Sequence, residues 1–295
     1  MIYFDSAKEA IEKLEMLHKE VDLFNDSRGY VNRVGVGFEL SNGFFIEKVL
    51  DSGVPFKIRF GITRSPNKYT HGALFPAGKS SKEIDYSYLL RLSGVPNDIQ
   101  FLRPGESFYP SKGTIGAIVY KYGVPHILSC RHCLGTVGQR LKRNTEQQDQ
   151  DYLFASVSEV SDNLDCGLAL IDKPVRGKID ARILELDIAP TDTAKVKLHN
   201  LVVKYGSSTG KSEGYVRLVN VITKDTSKYR FVEIQSTNGE NFTDEGDSGS
   251  LVLLKKSPNI ALALHFRKAC HHTRNGSLSI PIEQVKTELN FKFKL

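Results

Sequence analysis

The segment "TDEGDSGSLVLL", residues 243–254, places one serine between two glycines directly before an apolar run. Ser248 has Asp247 beside it, and Gly246 and Gly249 flank the pair. A serine hydroxyl acts as a nucleophile when a neighbouring base removes its proton. Glycine, aspartate and serine are also the residues that ordinary turns prefer, so the segment alone leaves a catalytic and a structural interpretation open.

A nucleophilic serine needs a base that an acid orients, and His132 has the most suggestive setting among the eight histidines. In "HILSCRHCLG" it follows an apolar run and precedes Gly135, which can turn the chain. This position predicts an imidazole at the rim of a core, where a catalytic base would stand. A structural histidine with satisfied hydrogen bonds is the alternative.

The acid is expected between these two positions, and Asp165 in "SDNLDCGLALID" stands directly before an apolar run. Leu164 and Leu168 flank it, so the carboxylate is predicted to be half-buried at a strand edge, where it can accept an imidazole N–H. Asp162 and Asp172 are rivals at positions predicted to be more exposed. Loop capping is the other interpretation of all three carboxylates.

The elements that must position these residues are short strands. From "TIGAIVY" to "SLSIPI", short alternating or apolar runs follow one another at intervals of about 8 to 12 residues, with turn formers between them. Many short strands of this kind predict a β-barrel or sandwich. A final "IEQVKTELNFKF" predicts a short closing helix.

The N-terminal part has a different pattern. Apolar residues at three- and four-residue spacings over 5–25 predict an amphipathic helix. Two strand-like runs separated by Asn42 and Gly43 predict a hairpin, and "VPFKIRFGI" predicts a third strand. The turn-rich segment 65–83 predicts a linker.

Composition excludes some classes of function. The net charge is +6, but the 40 basic and 34 acidic residues are interspersed, and the basic runs lack interleaved aromatics, so we expect no nucleic-acid partner. Because no apolar stretch approaches the roughly 20 residues of a membrane helix, we expect no membrane association. An acidic N-terminus without a signal pattern and only four cysteines predict a cytoplasmic protein.

The segments "ILSCRHCL", "NLDCGLALI" and "GDSGSLVL" resemble, in this order, the three catalytic segments of the trypsin-like (chymotrypsin-fold) serine peptidases. Positions 132, 165 and 248 lie 33 and 83 residues apart, which suits a compact two-barrel member. The resemblance to the intracellular bacterial type extends over about 112–290. The segment "GVGFEL" resembles the small N-terminal unit that precedes some of these domains.

The resemblance implies a mainly β fold with two consecutive six-stranded antiparallel β-barrels after a small α/β unit. That unit and a linker would occupy 1–104, and a regulatory partner at the unit is left open. The peptidase domain would occupy 105–295. Within it we expect the first barrel over about 112–195, the second over about 196–282 and a C-terminal helix over about 281–290.

The implied activity is that of a serine endopeptidase acting on a protein or peptide substrate, with no cofactor and no metal. Ser248 would attack the carbonyl, His132 would take and return the proton, and Asp165 would orient the imidazole. The glycine turn would aim the backbone N–H groups of Gly246 and Ser248 at the oxyanion. The alternative is a non-catalytic or self-silenced module that binds a peptide or protein partner.

The resemblance also places a pocket for the substrate side chain, at Phe242, Thr243, His265, Phe266 and Arg267. Thr243 with His265 resembles the pair with which glutamyl endopeptidases bind an acidic side chain, and Arg267 would help. Asp244 and Glu245 stand near the same mouth and would repel a carboxylate. A hydrophobic preference therefore stays open.

Three features depart from the resemblance. Ser250 stands where the serine motif has a glycine, a substitution that the family tolerates. No cysteine precedes Cys130, so the disulfide that secreted members form beside the histidine is missing. The residue matching Asp247 commonly pairs with a new N-terminus after cleavage, yet no activation site is recognisable here.

Two other motifs fit known sites poorly. "GSSTGKS" is one residue too short between its glycines for a phosphate-binding loop. A zinc site lacks the second half of its motif, although cysteines and histidines are available at Cys130, Cys133, Cys166, Cys270, His271 and His272.

Overall fold

The computed structural model describes residues 3–20, 23–24, 31–39, 43–50, 55–57, 101–143, 153–224, 226–271 and 274–294. The predicted linker over 65–83 lies outside these ranges, as does the rest of 58–100.

The described helices are α1 (Ala7–Glu20), α2 (Arg131–Leu134) and α3 (Ile282–Leu289), with a 3-10 helix over Lys173–Lys178. In α1, Ala10 and Leu14 are fully buried one turn apart, as the apolar spacing over 5–25 predicts. The α3 helix stops at Asn290, whose φ of +48° is a left-handed helix end.

An antiparallel N-terminal ribbon contains β1 (Val31–Glu39), β2 (Gly43–Leu50) and β3 (Pro55–Lys57). Strands β1 and β2 pair as far as Glu39 opposite Gly43, which agrees with the predicted hairpin. The turn residues 40–42 lie outside the described ranges.

The first barrel is a curled antiparallel sheet of seven strands. Its strands pair in the order β5-β4-β8-β9-β10-β7-β6. They are β4 (Ser107–Tyr109), β5 (Gly113–Thr114), β6 (Ala117–Lys121), β7 (Val124–Ser129), β8 (Arg140–Arg143), β9 (Leu153–Val160) and β10 (Gly167–Ile171). Fully buried Phe108, Leu128 and Leu168 belong to its core.

The second barrel closes on itself. Its strands follow β11 (Asp192–Thr193), which pairs in parallel with β16. They are β12 (Leu201–Gly206), β13 (Gly210–Thr223), β14 (Thr226–Ser236), β15 (Leu251–Leu254), β16 (Ser257–His271) and β17 (Arg274–Pro281). Because β12 pairs with both β13 and β15, the order β12-β15-β16-β17-β14-β13 forms a closed six-stranded ring.

The N-terminal ribbon continues the sheet of the second barrel, because β1 pairs antiparallel with β13. Buried charges lie at this junction. Arg33 pairs with Glu233, and Arg217 contacts Glu233 at 2.6 Å and Glu47 at 2.5 Å. Two cations thus compensate two anions, as buried charges require.

The predicted mainly β fold is confirmed, with a curled antiparallel half-barrel followed by a closed six-stranded antiparallel barrel. The first of the two predicted six-stranded barrels differs in detail, because its seven strands form a curled sheet whose end strands β5 and β6 are not paired with each other in the described part of the chain. The very short strands β5 and β11 had no periodic pattern of their own. No described helix is both long and apolar enough to cross a bilayer.

Candidate active site

His132 stands at the end of a buried strand. Strand β7 ends at Ser129, and the single turn of α2 presents the next residues at the rim of the first barrel. Gly135 ends this turn with a φ of +85°, a conformation that favours glycine. The His132 side chain is 48% exposed, so the imidazole is accessible.

Asp165 lies beside His132 because their strands are neighbours. Strands β7 and β10 are antiparallel, with Ser129 opposite Gly167, so the residues after β7 and before β10 meet at one edge of the sheet. The Asp165 carboxylate accepts the His132 backbone N–H at 2.9 Å and bonds the ring Nδ1 at 2.5 Å. Two contacts to one carboxylate fix the orientation of the ring.

The two rival carboxylates form ion pairs with arginines. Asp162 contacts Arg131 at 3.3 Å with a side chain that is 90% exposed. Asp172 contacts Arg140 at 2.5 Å and precedes the 3-10 helix. Of the three predicted acids, the described hydrogen bonds therefore join Asp165 to His132.

The same contact changes the proton affinity of the imidazole. The hydrogen bond with Asp165 raises the pKa of His132 to about 10, and one with Cys133 acts in the same direction, while burial opposes them. The neutral ring, which can accept a proton, is therefore favoured at alkaline pH.

Ser248 lies in the loop between β14 and β15, which the backbone of β16 holds. The Gly249 N–H donates to the His265 carbonyl at 2.8 Å, and the His265 N–H donates to Ser250 at 2.9 Å. Gly249 has a φ of +96°, and a Cβ there would stand 2.1 Å from Ser129 Oγ. Glycine is therefore required where this loop meets the first barrel.

Two contacts join the Ser248 carbonyl to the first barrel, and a third joins β16 to the residue before α2. The Thr114 N–H donates to the Ser248 carbonyl at 2.8 Å, and the Cys133 thiol contacts the same oxygen at 3.6 Å. The Cys130 thiol donates to the His265 carbonyl at 3.1 Å. The serine loop and the α2 turn thus lie against each other across the two barrels.

The Ser248 hydroxyl itself points to another partner. It donates to the Phe266 carbonyl over 3.5 Å, at the outer limit for a hydrogen bond. No hydrogen bond in the described part of the chain joins it to His132. The structure therefore unites the predicted base and acid and places the serine loop beside them, without a serine–histidine hydrogen bond.

The two predicted oxyanion donors are available. The backbone N–H groups of Asp247, Gly249 and Ser250 all have carbonyl acceptors, whereas those of Gly246 and Ser248 have none among the described residues. Gly246 has a φ of +100°, which shapes the turn between them. Unpaired N–H groups on a fixed turn are suitable donors for a developing negative charge.

Asp247 is completely buried and forms an ion pair that the sequence did not reveal. The Lys204 ammonium, also completely buried, contacts its carboxylate at 2.8 Å. The Thr209 hydroxyl donates to the same carboxylate at 2.6 Å, and the backbone N–H groups of Ser208, Thr209 and Asp244 also donate to it. Burial opposes ionisation, yet Lys204 and Thr209 hold the pKa of Asp247 below its usual value.

The segment "GSSTGKS", which fits a phosphate-binding loop poorly, thus supplies hydrogen bonds to the carboxylate of this ion pair. Its residues form the turn between β12 and β13, against the carboxylate of Asp247. Two considerations could have indicated this ion pair from the sequence. A buried aspartate needs a cation, and a hydroxyl-rich turn follows Lys204.

The predicted pocket residues fall into two groups, the first of which lies in the interior of the second barrel. Phe242 packs in the core of the second barrel with the Lys204 ammonium 5.4 Å above its ring. Hydrogen bonds join His265 Nε2 to the Thr243 hydroxyl at 2.6 Å and Nδ1 to Ser277 at 2.7 Å. Burial lowers the pKa of His265 to about 3, so this ring is neutral.

The second group, Phe266 and Arg267, lines a cavity of about 240 Å³ beside Asp165. The remaining lining residues are Arg131, Asp162, Asn163, Leu164, Thr223 and Phe231. Asp244, which the sequence suggests would repel an acidic substrate, is paired with Lys268. This pairing reduces that repulsion.

Cys130, His132 and Asp165 offer metal-ligand atoms within 4.8 Å of one another. Burial raises the pKa of Cys130 well above its usual value, which keeps the neutral thiol, whereas zinc binds the thiolate. The donor set therefore fits zinc poorly. The side chains of Cys270, His271 and His272 lie outside the description.

No protein-family model matches the chain, and no curated protein matches its sequence. Solved structures do match. A glutamic acid-specific serine protease, described as using a novel histidine triad in substrate binding, superposes with a TM-score of 0.51 at 16% identity, covering 65% of this chain and 99% of that one. Thermobifida fusca protease A gives a TM-score of 0.48 at 15% identity, covering 65% and 98%. The first likeness, at a TM-score above 0.5, shows that the chain has the chymotrypsin-like fold.

Proposed function

We propose that the chain is a serine endopeptidase that hydrolyses peptide bonds in a protein or peptide substrate. The observation that carries this proposal is the hydrogen-bonded pair of His132 and Asp165, with the Ser248 loop tied against the same helical turn. The chymotrypsin-like fold supports it, because such a fold presents these segments at the junction of its barrels.

In the proposed reaction the Ser248 oxygen attacks the substrate carbonyl carbon while its proton passes to His132 Nε2. Asp165 stabilises the imidazolium, and the oxyanion accepts hydrogen bonds from the backbone N–H groups of Gly246 and Ser248. Breakage of the C–N bond releases the amine, which takes the proton from His132 and leaves an acyl-enzyme ester. A water molecule then cleaves the ester by the same route, with His132 again as base.

The resting contact of Ser248 is compatible with this reaction. Its 3.5 Å bond to Phe266 is long, so little energy opposes rotation of the hydroxyl toward His132 when substrate binds. The same contact is also the observation that favours the rival function, a self-silenced module that binds a peptide or protein partner.

A fluorophosphonate probe distinguishes these two functions. We expect covalent attachment to Ser248 in the purified chain, with loss of fluoride, because only an activated hydroxyl reacts. A chain that binds unfolded protein but leaves Ser248 unmodified would support the silent module.

Turnover tests the peptidase directly. We expect the wild-type chain to cleave casein, and Ser248→Ala to abolish cleavage while its thermal unfolding stays the same, because the substitution removes only the attacking oxygen. Cleavage by Ser248→Ala at the wild-type rate would reject the mechanism.

An acidic side chain before the scissile bond is the preference that Thr243, His265 and Arg267 support. The glutamic acid-specific protease of similar fold is also described as binding substrate through histidines. Because His265 is neutral, we expect hydrogen bonding, with charge from exposed Arg267. A peptide library varied at that position tests this, and selection of large apolar residues would favour the hydrophobic alternative.

We place the protein in the cytoplasm, as its free thiols suggest. Cys130, Cys133 and Cys166 are buried and unpaired, which suits a reducing compartment. A regulatory partner at the N-terminal unit stays a prediction.

A further inference from the structure

Thr114 is completely buried in β5 of the first barrel and contacts the serine loop of the second barrel at two points. Its backbone N–H donates to the Ser248 carbonyl at 2.8 Å. Its hydroxyl donates to the Gly246 carbonyl at 2.7 Å. One residue therefore holds the loop on both sides of Asp247.

Ser207 completes this contact from the turn between β12 and β13. Its hydroxyl donates to the same Gly246 carbonyl at 2.9 Å, and its N–H donates to Thr114 Oγ1 at 3.1 Å. Two hydroxyls thus fill both acceptor positions of one carbonyl oxygen. We call Thr114 and Ser207 the hydroxyl clamp.

The Gly246 carbonyl needs such a restraint. Gly246 lacks a Cβ and has a φ of +100°, so its own side chain does not limit the neighbouring peptide. The peptide between Gly246 and Asp247 stands between the two free N–H groups described above. Its rotation would therefore turn those two donors relative to each other.

The clamp also connects these donors to the proposed base. Ser129, in the strand that leads to His132, donates its hydroxyl to the Thr114 carbonyl at 2.8 Å. A short chain of hydrogen bonds thus runs from Gly246 through Thr114 to β7. It fixes the distance between two groups that different barrels carry.

We propose that Thr114 and Ser207 are positioning residues, which hold the Gly246 and Ser248 N–H groups in the geometry that binds the oxyanion. This inference rests on the proposed peptidase function. The hydroxyls of both residues bond the Gly246 carbonyl, and neither contacts His132 or Asp165 in the described hydrogen bonds. We therefore expect their removal to affect turnover through donor orientation and to leave the His132–Asp165 pair intact.

Thr114→Val tests the clamp, because valine keeps the shape and removes the hydroxyl. We expect the second-order rate of Ser248 labelling by diisopropyl fluorophosphate to fall by about 10- to 100-fold, as expected when an oxyanion donor is misplaced. The pH midpoint of labelling should stay at the wild-type value. Thr114→Ser, which restores the hydroxyl, should recover most of the rate.

Ser207→Ala tests the same carbonyl from a half-buried turn and guards against misfolding of the Thr114 variant. We expect a smaller loss with an unchanged melting temperature. Labelling of both Thr114→Val and Ser207→Ala at the wild-type rate would overturn the inference alone. A folded wild-type chain that is never labelled at Ser248 would overturn the proposed function, and the inference with it.

Discussion

Asp165 and Asp247 hold the two halves of the candidate site in opposite ways. The Asp165 side chain is 29% exposed and contacts an imidazole that is itself half exposed. Asp247 is completely buried and contacts a completely buried lysine. In the proposed mechanism the first carboxylate orients a group that exchanges a proton, and the second fixes the backbone that carries the oxyanion donors.

The buried Asp247–Lys204 pair also bears on how the proposed peptidase becomes active. In the family that the sequence resembles, the residue matching Asp247 commonly pairs with a new N-terminus, whereas here Lys204 supplies the cation from within the second barrel. Because Lys204 belongs to the folded barrel, Asp247 has its cation without any cleavage of the chain. We therefore expect this chain to be competent without cleavage that creates a new N-terminus.

The largest expected effect is the loss of turnover when Asp165, the partly exposed carboxylate, is changed. Asp165→Asn should lower kcat by about 10⁴-fold, because the amide no longer stabilises the correct imidazole form. The melting temperature should change little, since the side chain lies at the rim. Steady-state kinetics and thermal unfolding of the same preparation check this, and a loss below tenfold would remove Asp165 from the mechanism.

Changes to the buried Asp247–Lys204 pair should lower the stability of the fold. Lys204→Met should lower the free energy of unfolding by about 3 to 5 kcal/mol, because it leaves the Asp247 charge buried without a compensating cation. Urea denaturation measures this. The double variant Lys204→Met/Asp247→Asn is the matched control and should recover part of the loss. Equal stability of Lys204→Met and wild type would contradict a structural role for the pair.

The pH profile separates the two carboxylates further. Because Asp165 raises the pKa of His132 to about 10, the ring stays protonated at neutral pH, and turnover should increase as pH rises into the alkaline range. Asp165→Asn removes the largest cause and should move the midpoint toward about 6.5. The stability that the pair provides is fully present below about 6.5 and is lost as pH rises through about 10. A wild-type midpoint near 6.5 would contradict this coupling.

The smallest effect is expected from an exposed pair in the same barrel. Lys255 contacts Glu213 at 2.5 Å with a side chain that is 44% exposed. Lys255→Met should change the free energy of unfolding by less than about 1 kcal/mol, because water screens such pairs. Comparison with Lys204→Met in the same denaturation series isolates burial as the cause. A loss as large as that of Lys204→Met would contradict this account.

The local sequence pattern was sufficient to predict where His132 and Asp165 lie relative to their strands. Apolar runs end before His132 and begin after Asp165, so both residues could be placed at strand ends without knowing the pairing. The contact between them then follows from the antiparallel register of β7 and β10. The choice of Asp165 over Asp162 and Asp172 also followed from position relative to the strand.

The buried side could not be predicted in this way. Lys204 and Asp247 are 43 residues apart and meet only because β12 and β15 pair in the closed barrel. Likewise, Arg33 meets Glu233 across 200 residues, so the sequence gives no sign that β1 extends the second barrel. Contacts set by barrel closure need the register of several strands at once.

The central claim is that His132 activates Ser248. It is tested most directly by mass spectrometric measurement of fluorophosphonate attachment in wild type and His132→Ala. The account predicts one adduct on the peptide containing Ser248 in wild type, and almost none in a folded His132→Ala chain. Attachment to Ser248 at equal rates in both chains would contradict it.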